Sequence, residues 1–267
     1  MCVVCESPSP FHIIDGISLE HTRHHVHVAL RPPHRVLSTA VFNGGLLDAD
    51  HILNLAVPLE LADEAEEPEM TLRRYCKSHG WWGTCVGMMT AASMDSLRLV
   101  RVEEQGVHVA VLVTCGLSNT RRAGDRAEHR VMCEAACELG TINTIVITSA
   151  RLTPAAMAET LIIATEAKSA ALQGAGARST VSGEIATGTG TDAVAVVCGP
   201  GPQTVRWAGK HVLFGEIVGA SVLAAVTSSM APGEPLVTPS PCGAQTAAGA
   251  DGSVTEDTQA RWQGVVR

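Results

Sequence analysis

The chain is a succession of short apolar runs separated by clusters of glycine, proline and small polar residues, and the period of each run predicts its element. His25-Val-His-Val-Ala-Leu30 alternates with period two, which predicts a strand showing its histidines to solvent on one face. Pro32-Pro33 excludes helix, Arg35 to Phe42 reads as a strand closed by the turn Asn43-Gly44-Gly45, and Leu46 to Val57 reads as a second strand. Thr71 to His79 has helical character and stops at Gly80, the position of a C-cap glycine. Three strands follow, Val86 to Ala91, Leu97 to Glu103 and Val107 to Cys115, the last two joined as a hairpin at Gln105-Gly106. A helix over Arg126 to Leu139, with Cys133 and Cys137 on one face, leads into a strand at Ile142 to Thr148.

Thr153-Pro154 supplies a hydroxyl cap and a proline at the first helical position, so a long helix runs to about Leu172. It is apolar almost all round. In its second half only Glu166 and Lys168 are charged; two residues apart they lie on different sides of the helix, so each needs a partner from another element or must be exposed. The continuous run Ala193 to Cys198 suits a strand covered on both faces. Gln203 to Trp207 is a short strand, and a last helix opens at Gly209-Lys210-His211 and runs to about Val226, with Gly215 and Gly219 clearing one face for close packing. These elements predict an α/β fold, with α+β as the alternative: one domain over residues 31–230, a mixed β-sheet flanked by the two long helices in a layered sandwich. Residues 1–30 are expected to be an extension, and residues 231–267, rich in Pro, Gly, Ala, Thr and Ser, a disordered tail.

Composition narrows the function. A net charge of -8 with 3% aromatic residues gives neither the basic footprint nor the stacking platform of a nucleic-acid binder. The longest apolar stretches, around Leu161–Ala164 and Ile217–Val226, are interrupted short of the roughly 18 residues a membrane span requires, so no span is expected. The start carries no basic segment followed by an apolar block, and nine scattered cysteines read most simply as reduced thiols of a cytoplasmic protein. Cys2-x-x-Cys5 with His12, His21, His24, His25 and His27 offers zinc ligands on paper, but the spacing matches no known finger, and the expectation is no metal site.

The most distinctive stretch is Ala186 to Cys198, ATGTGTDAVAVVC. Gly188 and Gly190 relax the backbone so that successive N–H groups can point one way, Thr187, Thr189 and Thr191 add hydroxyls in alternation, and Asp192 stands at the entrance of a buried strand. A plain Gly/Thr turn feeding a strand is the competing reading. Ser118, Asn119 and Asp125 follow a strand end, where groups are presented to a cleft, whereas Asn43 and Asn54 are also explained by turn and edge positions. Asp192 opens an apolar strand, Lys210 an apolar helix, and Glu166 interrupts another, which predicts that the three charges converge on one cleft.

Several phrases, in order, resemble the adenosylcobinamide amidohydrolase (CbiZ) family: VLSTAVFNGGL, VGMMTAA, LSN followed by AGD, GTINTIVIT, ATEAKSAAL, ATGTGTDAVAVVC and WAGKHVLFGEIVG. The resemblance covers about Pro33 to Val226, with Trp207 and Val212 standing where tyrosine and threonine are expected. It implies hydrolysis of the amide joining the aminopropanol arm of adenosylcobinamide to the corrin ring, giving adenosylcobyric acid for salvage. The implied partner is a small-molecule corrinoid whose cobalt belongs to the substrate, with no cofactor required of the protein; a homo-oligomer is compatible with it. Amide hydrolysis needs a nucleophile, oxyanion donors and a proton for the leaving amine. The candidates are Thr191 or Thr189 as nucleophile, or a water held by Asp192 and Glu166. Asn119 and Asn143 with the loop N–H groups would hold the oxyanion, and Lys210 and His211 would pair with the carboxylate or donate the proton. Asn43 and Thr187 complete the expected binding set. A layered relative of the self-processing aminopeptidase and acyltransferase proteins, and a corrinoid carrier without chemistry, are the alternatives.

Overall fold

The computed structural model describes residues 11–57, 66–128, 132, 141–231 and 236–237. A meander opens the chain: β1 (Phe11–Ile14) pairs antiparallel with β2 (Ile17–His21), and β2 with β3 (His25–Ser38). β3 is one strand of 14 residues rather than two segments parted by the prolines. Pro32 and Pro33 cannot donate to a ladder, and the register with β4 (Gly45–Ala56) shifts between Ala29 and His34, where they sit. α1 (Pro68–Ser78) crosses over to β5 (Cys85–Thr90), which lies parallel to β4. β6 (Arg98–Glu104) and β7 (Val107–Cys115) form the expected hairpin; Gln105 and Gly106 both take positive φ, 51° and 73°, as a two-residue turn between twisted strands requires.

After the two-residue β8 (Thr120–Arg121), β9 (Ile142–Thr148) pairs antiparallel with β7. β10 (Arg151–Leu152) leads into α2 (Pro154–Gly174), capped as expected by the Thr153 hydroxyl, which accepts the Ala156 N–H at 3.1 Å. β11 (Gly188–Thr189) pairs with β8, and β12 (Ala193–Cys198) lies parallel to β9 and antiparallel to the second half of β3. β13 (Thr204–Val205) pairs with β10, α3 (Leu213–Met230) follows, and β14 (Leu236–Val237) lies parallel to β6. The main sheet runs β1-β2-β3-β12-β9-β7-β6-β14, with β4 and β5 added on the other edge of β3.

The result is a single α/β domain with a mixed, curled sheet. One face carries α2 and α3 over Val111, Val146, Val196, Leu172 and Val222. The other closes on itself mostly through strand residues, Val28, Ile52, Leu112, Ile147 and Val197 among them, with Met94 of a short 3-10 turn, and α1 covers a smaller cluster around Leu53 and Leu72.

Several expectations change. Residues 11–30 belong to the main sheet, so the segment read as an extension is, from Phe11 on, part of the folded domain. His25 and His27 are buried, 3% and 5% exposed, because α1 and the Trp81 loop cover the face that alternation alone assigned to solvent. α3 begins at Leu213, leaving Lys210 and His211 in the turn before it. Gly215 is packed against the carbonyls of Ala208 and Gly209, and of the two only Gly219 faces α2, where an added Cβ would lie 3.5 Å from Ile163. α3 is long and apolar enough by composition to cross a membrane, yet half of it is buried here, on α2, β6 and β7. Cys2, Cys5, the Cys133–Cys137 helix and most of the expected tail lie outside the described residues, although Leu236 and Val237 of that tail form β14.

Candidate functional site

The amino ends of β9 and β12 and the carboxyl end of β7 meet at one side of the sheet, and the β8–β11 ribbon stands over them. Between this ribbon and α2 lies an open cleft of about 670 Å³, within the usual range for small-molecule sites. Its walls are Arg121 to Glu128 on one side, Thr165, Lys168 and Ser169 of α2 on another, and Thr187 to Asp192 between them.

Lys168 and Asp192 form the hinge of this arrangement. The ammonium donates to Asp192 Oδ2 in a close ion pair, with side chains only 8% and 11% exposed. The same Oδ2 accepts the Thr189 N–H at 3.0 Å, while Oδ1 accepts the Ile142 N–H at 2.9 Å and the Thr189 hydroxyl at 2.5 Å. One carboxylate thus ties the Thr/Gly loop to α2 and to the start of β9. Gly188 is required for space: a Cβ there would lie 2.8 Å from Lys168 Nζ and closer still to Asp192 Oδ2. The loop is fastened further by the Ser169 hydroxyl donating to Thr187 O at 2.8 Å, by the Ala123 N–H donating to the Thr187 hydroxyl at 2.8 Å, and by the Gly190 N–H reaching Asn119 O at 3.3 Å.

The opposite wall is built around Asp125, which accepts the Ser179 hydroxyl at 2.5 Å and the Arg122 N–H at 2.8 Å. These bonds, Ser179 first and then Ser182 and the Arg122 amide, hold its carboxyl below the usual carboxylate range. Arg122 donates to Ile185 O at 2.9 Å, and Arg121 pairs with Glu128 at 2.7 Å. Cys115 is electrostatically coupled to the Lys168–Asp192 pair, but its thiol is pushed up to about 12, by burial first and then by Asp192, which makes it a poor nucleophile at neutral pH.

The structure therefore brings Thr187, Thr189, Thr191 and Asp192 together, with the Asn119 backbone beside them. Asn143 sits behind the cleft, 2% exposed: its amide donates to Asn54 Oδ1 at 2.7 Å and Met89 O at 3.0 Å and accepts the Thr141 hydroxyl at 3.2 Å. Asn43 has a left-handed φ of 52° and donates to Cys85 O at 2.8 Å, bridging the β4 and β5 region. Glu166 and Lys210 pair closely with each other, but at 50% and 72% side-chain exposure, and neither lines the cleft; exposed His211 shares the turn of Lys210. So the two charges in the second half of α2 do find partners on other elements, but Asp192 takes Lys168 and Glu166 takes Lys210. Lys168 is absent from the expected set; its signal was its placement on the apolar side of α2, where a cation needs a buried carboxylate. The cysteines described, Cys76, Cys85, Cys115 and Cys198, are buried free thiols.

A mixed α/β sheet with a Thr/Gly loop and a buried ion pair at the mouth of a polar cleft has the form of a small-molecule enzyme. The chain belongs to the adenosylcobinamide amidohydrolase (CbiZ) family, whose pattern it matches over residues 10–234. It is 30% identical over 232 residues, 81% of this chain and 89% of the other, to the uncharacterized protein MJ1613 of Methanocaldococcus jannaschii. It is 28% identical over 197 residues to an adenosylcobinamide amidohydrolase of Methanosarcina mazei, covering 70% of this chain and 86% of that one. A second protein of that name, from Halobacterium salinarum, is 29% identical over 204 residues, 74% of this chain and 81% of the other. Among solved structures, the PH0078 protein of Pyrococcus horikoshii aligns with a TM-score of 0.39 and 10% identity over 79% of this chain and 78% of that one, a likeness too slight to carry an argument.

Proposed function

We propose that this protein hydrolyses the amide between the corrin ring and the aminopropanol arm of adenosylcobinamide, releasing aminopropanol and adenosylcobyric acid for corrinoid salvage in the cytoplasm. The observation that carries this reading is the Thr/Gly loop held at the mouth of the cleft by the Lys168–Asp192 pair, in a chain of this family. The cleft is open, so it suits an extended arm with the macrocycle remaining at its rim.

Within it, the Thr191 hydroxyl side is the point of attack, by its own oxygen or by a water it orients. Asp192, whose oxygens already accept four donors, acts as the positioning residue for that loop rather than as the base that takes the proton. Lys168 places a positive charge beneath the loop, where it favours a developing oxyanion. Glu166 and Lys210 neutralise each other outside the cleft, so they are not assigned to the reaction. The corrinoid brings its own cobalt as part of the substrate.

The test is incubation of the purified chain with adenosylcobinamide and a mass analysis of the products. Adenosylcobyric acid and aminopropanol in equal amounts support the proposal. Binding without turnover makes the chain a corrinoid carrier, and the absence of both removes the corrinoid reading. The mass of the chain in the same sample shows whether it cleaves itself.

A further inference from the structure

A second cavity, of about 660 Å³, lies at the other end of the sheet and shares no residue with the cleft. The cleft stands at the amino ends of the parallel strands β9 and β12. This cavity stands at their carboxyl ends, where Thr148 ends β9, Ser149 follows it, and Pro200 to Gln203 come after β12. That is the end at which the parallel strands of α/β sheets most often present a ligand site. The turn between β1 and β2 forms another wall, and Ile13 and Ile17, which belong to the strand-lined core, add apolar surface to it.

Both walls are fastened through the backbone. The Arg31 N–H donates to Gly16 O at 2.8 Å, and a Cβ at Gly16 would collide with the Arg31 carbonyl, so the β1–β2 turn is pinned to β3. On the other wall the Ser149 hydroxyl accepts the His108 N–H at 2.9 Å, the Thr148 hydroxyl donates to the His108 carbonyl at 3.0 Å, and the Gly201 N–H donates to Ser149 O at 3.1 Å. A cavity fixed in this way loses little freedom when it is filled. Three polar groups line it without partners. His34 is 6% exposed, and its Nδ1 lies 2.7 Å from the Pro32 carbonyl, which can only accept, so Nδ1 carries the hydrogen. The other ring nitrogen, Nε2, has no hydrogen-bond partner among the described residues, which is unusual for a buried polar atom. Half-buried Arg101 makes no hydrogen bond or ion pair among the described residues and only lies over the Phe11 ring, 5.7 Å from its centre. Asp15 of the β1–β2 turn is likewise unpaired, whereas His108 faces Glu103 at 3.7 Å on the exposed rim.

We propose that this cavity binds a zwitterionic small molecule of the amino-acid or short-peptide kind, with its carboxylate on Arg101 and its ammonium on Asp15 and His34 Nε2. Two opposite charges that line one cavity without pairing with each other suit a ligand that carries both. A guanidinium takes a carboxylate through two parallel N–H···O bonds, which fixes the ligand's orientation as well as its charge. With its hydrogen on Nδ1, the neutral His34 ring offers Nε2 as an acceptor, so it selects a donor group on the ligand. The volume falls within the usual range for small-molecule sites, and the isoleucines at 13 and 17 favour an apolar side chain.

The experiment is isothermal titration calorimetry of the full-length chain with L-leucine and, separately, with the dipeptide leucyl-leucine. One molecule per chain is expected, and the tighter of the two probes tells a free amino acid from a peptide. The single-charge analogues 4-methylpentanoate and 3-methylbutylamine should each bind at least about tenfold more weakly than L-leucine, the scale of one lost hydrogen bond to a charged group. Arg101→Gln and Asp15→Asn, each verified as folded by circular dichroism, should weaken binding of the better probe by at least about the same factor. Asp15 is exposed, so its variant keeps the test decisive if the arginine variant does not fold. No saturable binding of either probe up to about 10 mM, binding unchanged in Asp15→Asn, or a single-charge analogue that binds as well as L-leucine would each overturn the proposal.

Discussion

Replacing Lys168 by methionine removes the charge from the ion pair while keeping most of the side-chain volume. The paired side chains are 8% and 11% exposed, so solvent screens them little, and breaking such a pair costs about 3–5 kcal/mol because the remaining charge stays buried. Asp192 keeps the Ile142 and Thr189 donors, which places the expected loss near the lower figure, about 3 kcal/mol. Asp192→Asn alone strands the Lys168 ammonium and should cost at least as much. The double variant removes both charges, so its loss should fall short of the sum by about 2 kcal/mol or more. Urea unfolding followed by tryptophan fluorescence reads all three values. Turnover of adenosylcobinamide by folded Lys168→Met should fall at least about 100-fold, since both the loop and the charge beneath it are altered. A Lys168→Met chain that loses less than about 1 kcal/mol, with strictly additive effects in the double variant, would refute the reasoning: the pair would then be solvent-screened and the loop held by its backbone alone.

Gly188→Ala forces a methyl group against the same pair and should cost about 1–3 kcal/mol together with most of the activity; a fully active, equally stable variant would show that the pair has room to retreat. Lys210→Ala and Glu166→Gln break an exposed pair and should change stability by less than about 1 kcal/mol and kcat/KM by less than about threefold, whereas a large loss would return these residues to the reaction. His25 and His27 have folded pKa values depressed to about 4 and about 3, so the unfolded chain takes up their protons first. They cost nothing above about pH 6.5, and stability should fall as the pH drops from there towards 4, by up to about 1.4 kcal/mol per pH unit for each ring. His27→Gln should flatten that slope, and an acid-unfolding profile parallel to the parent's would contradict it.

Local chemistry made much of this fold legible. The Thr153-Pro154 cap, the Gln105-Gly106 hairpin and the apolar run at Ala193–Cys198 each encode their element within a few residues, and the structure has all three. What a local pattern could not supply was covering by distant segments. His25 and His27 alternate with valines as an exposed strand would, and only the packing of Tyr75 and Trp81 over them reverses the reading. The same limit applies to the charges of α2. That Glu166 and Lys168 needed partners from elsewhere followed from their spacing, but choosing between Asp192 and Lys210 required the distance between the β11–β12 loop and the α3 turn. Asn143, attractive as an oxyanion donor in the phrase GTIN, is instead committed to Asn54 and Met89 across the curled sheet.

The long strand β3 has a consequence for how the molecule is made. Its first half lies against β2, a few residues away, but the edge of its second half is completed only by β12, with Ser38 paired to Ala195 and Arg35 to Cys198. A ribosome has therefore delivered nearly the whole domain before the N-terminal strand can finish its ladder, and closing so long a loop is slow. Until then β3 carries an unsatisfied edge, a template for pairing with another nascent chain. The prolines at 32 and 33, which cannot donate to a ladder, stand just before that exposed stretch and shorten the edge it offers during synthesis.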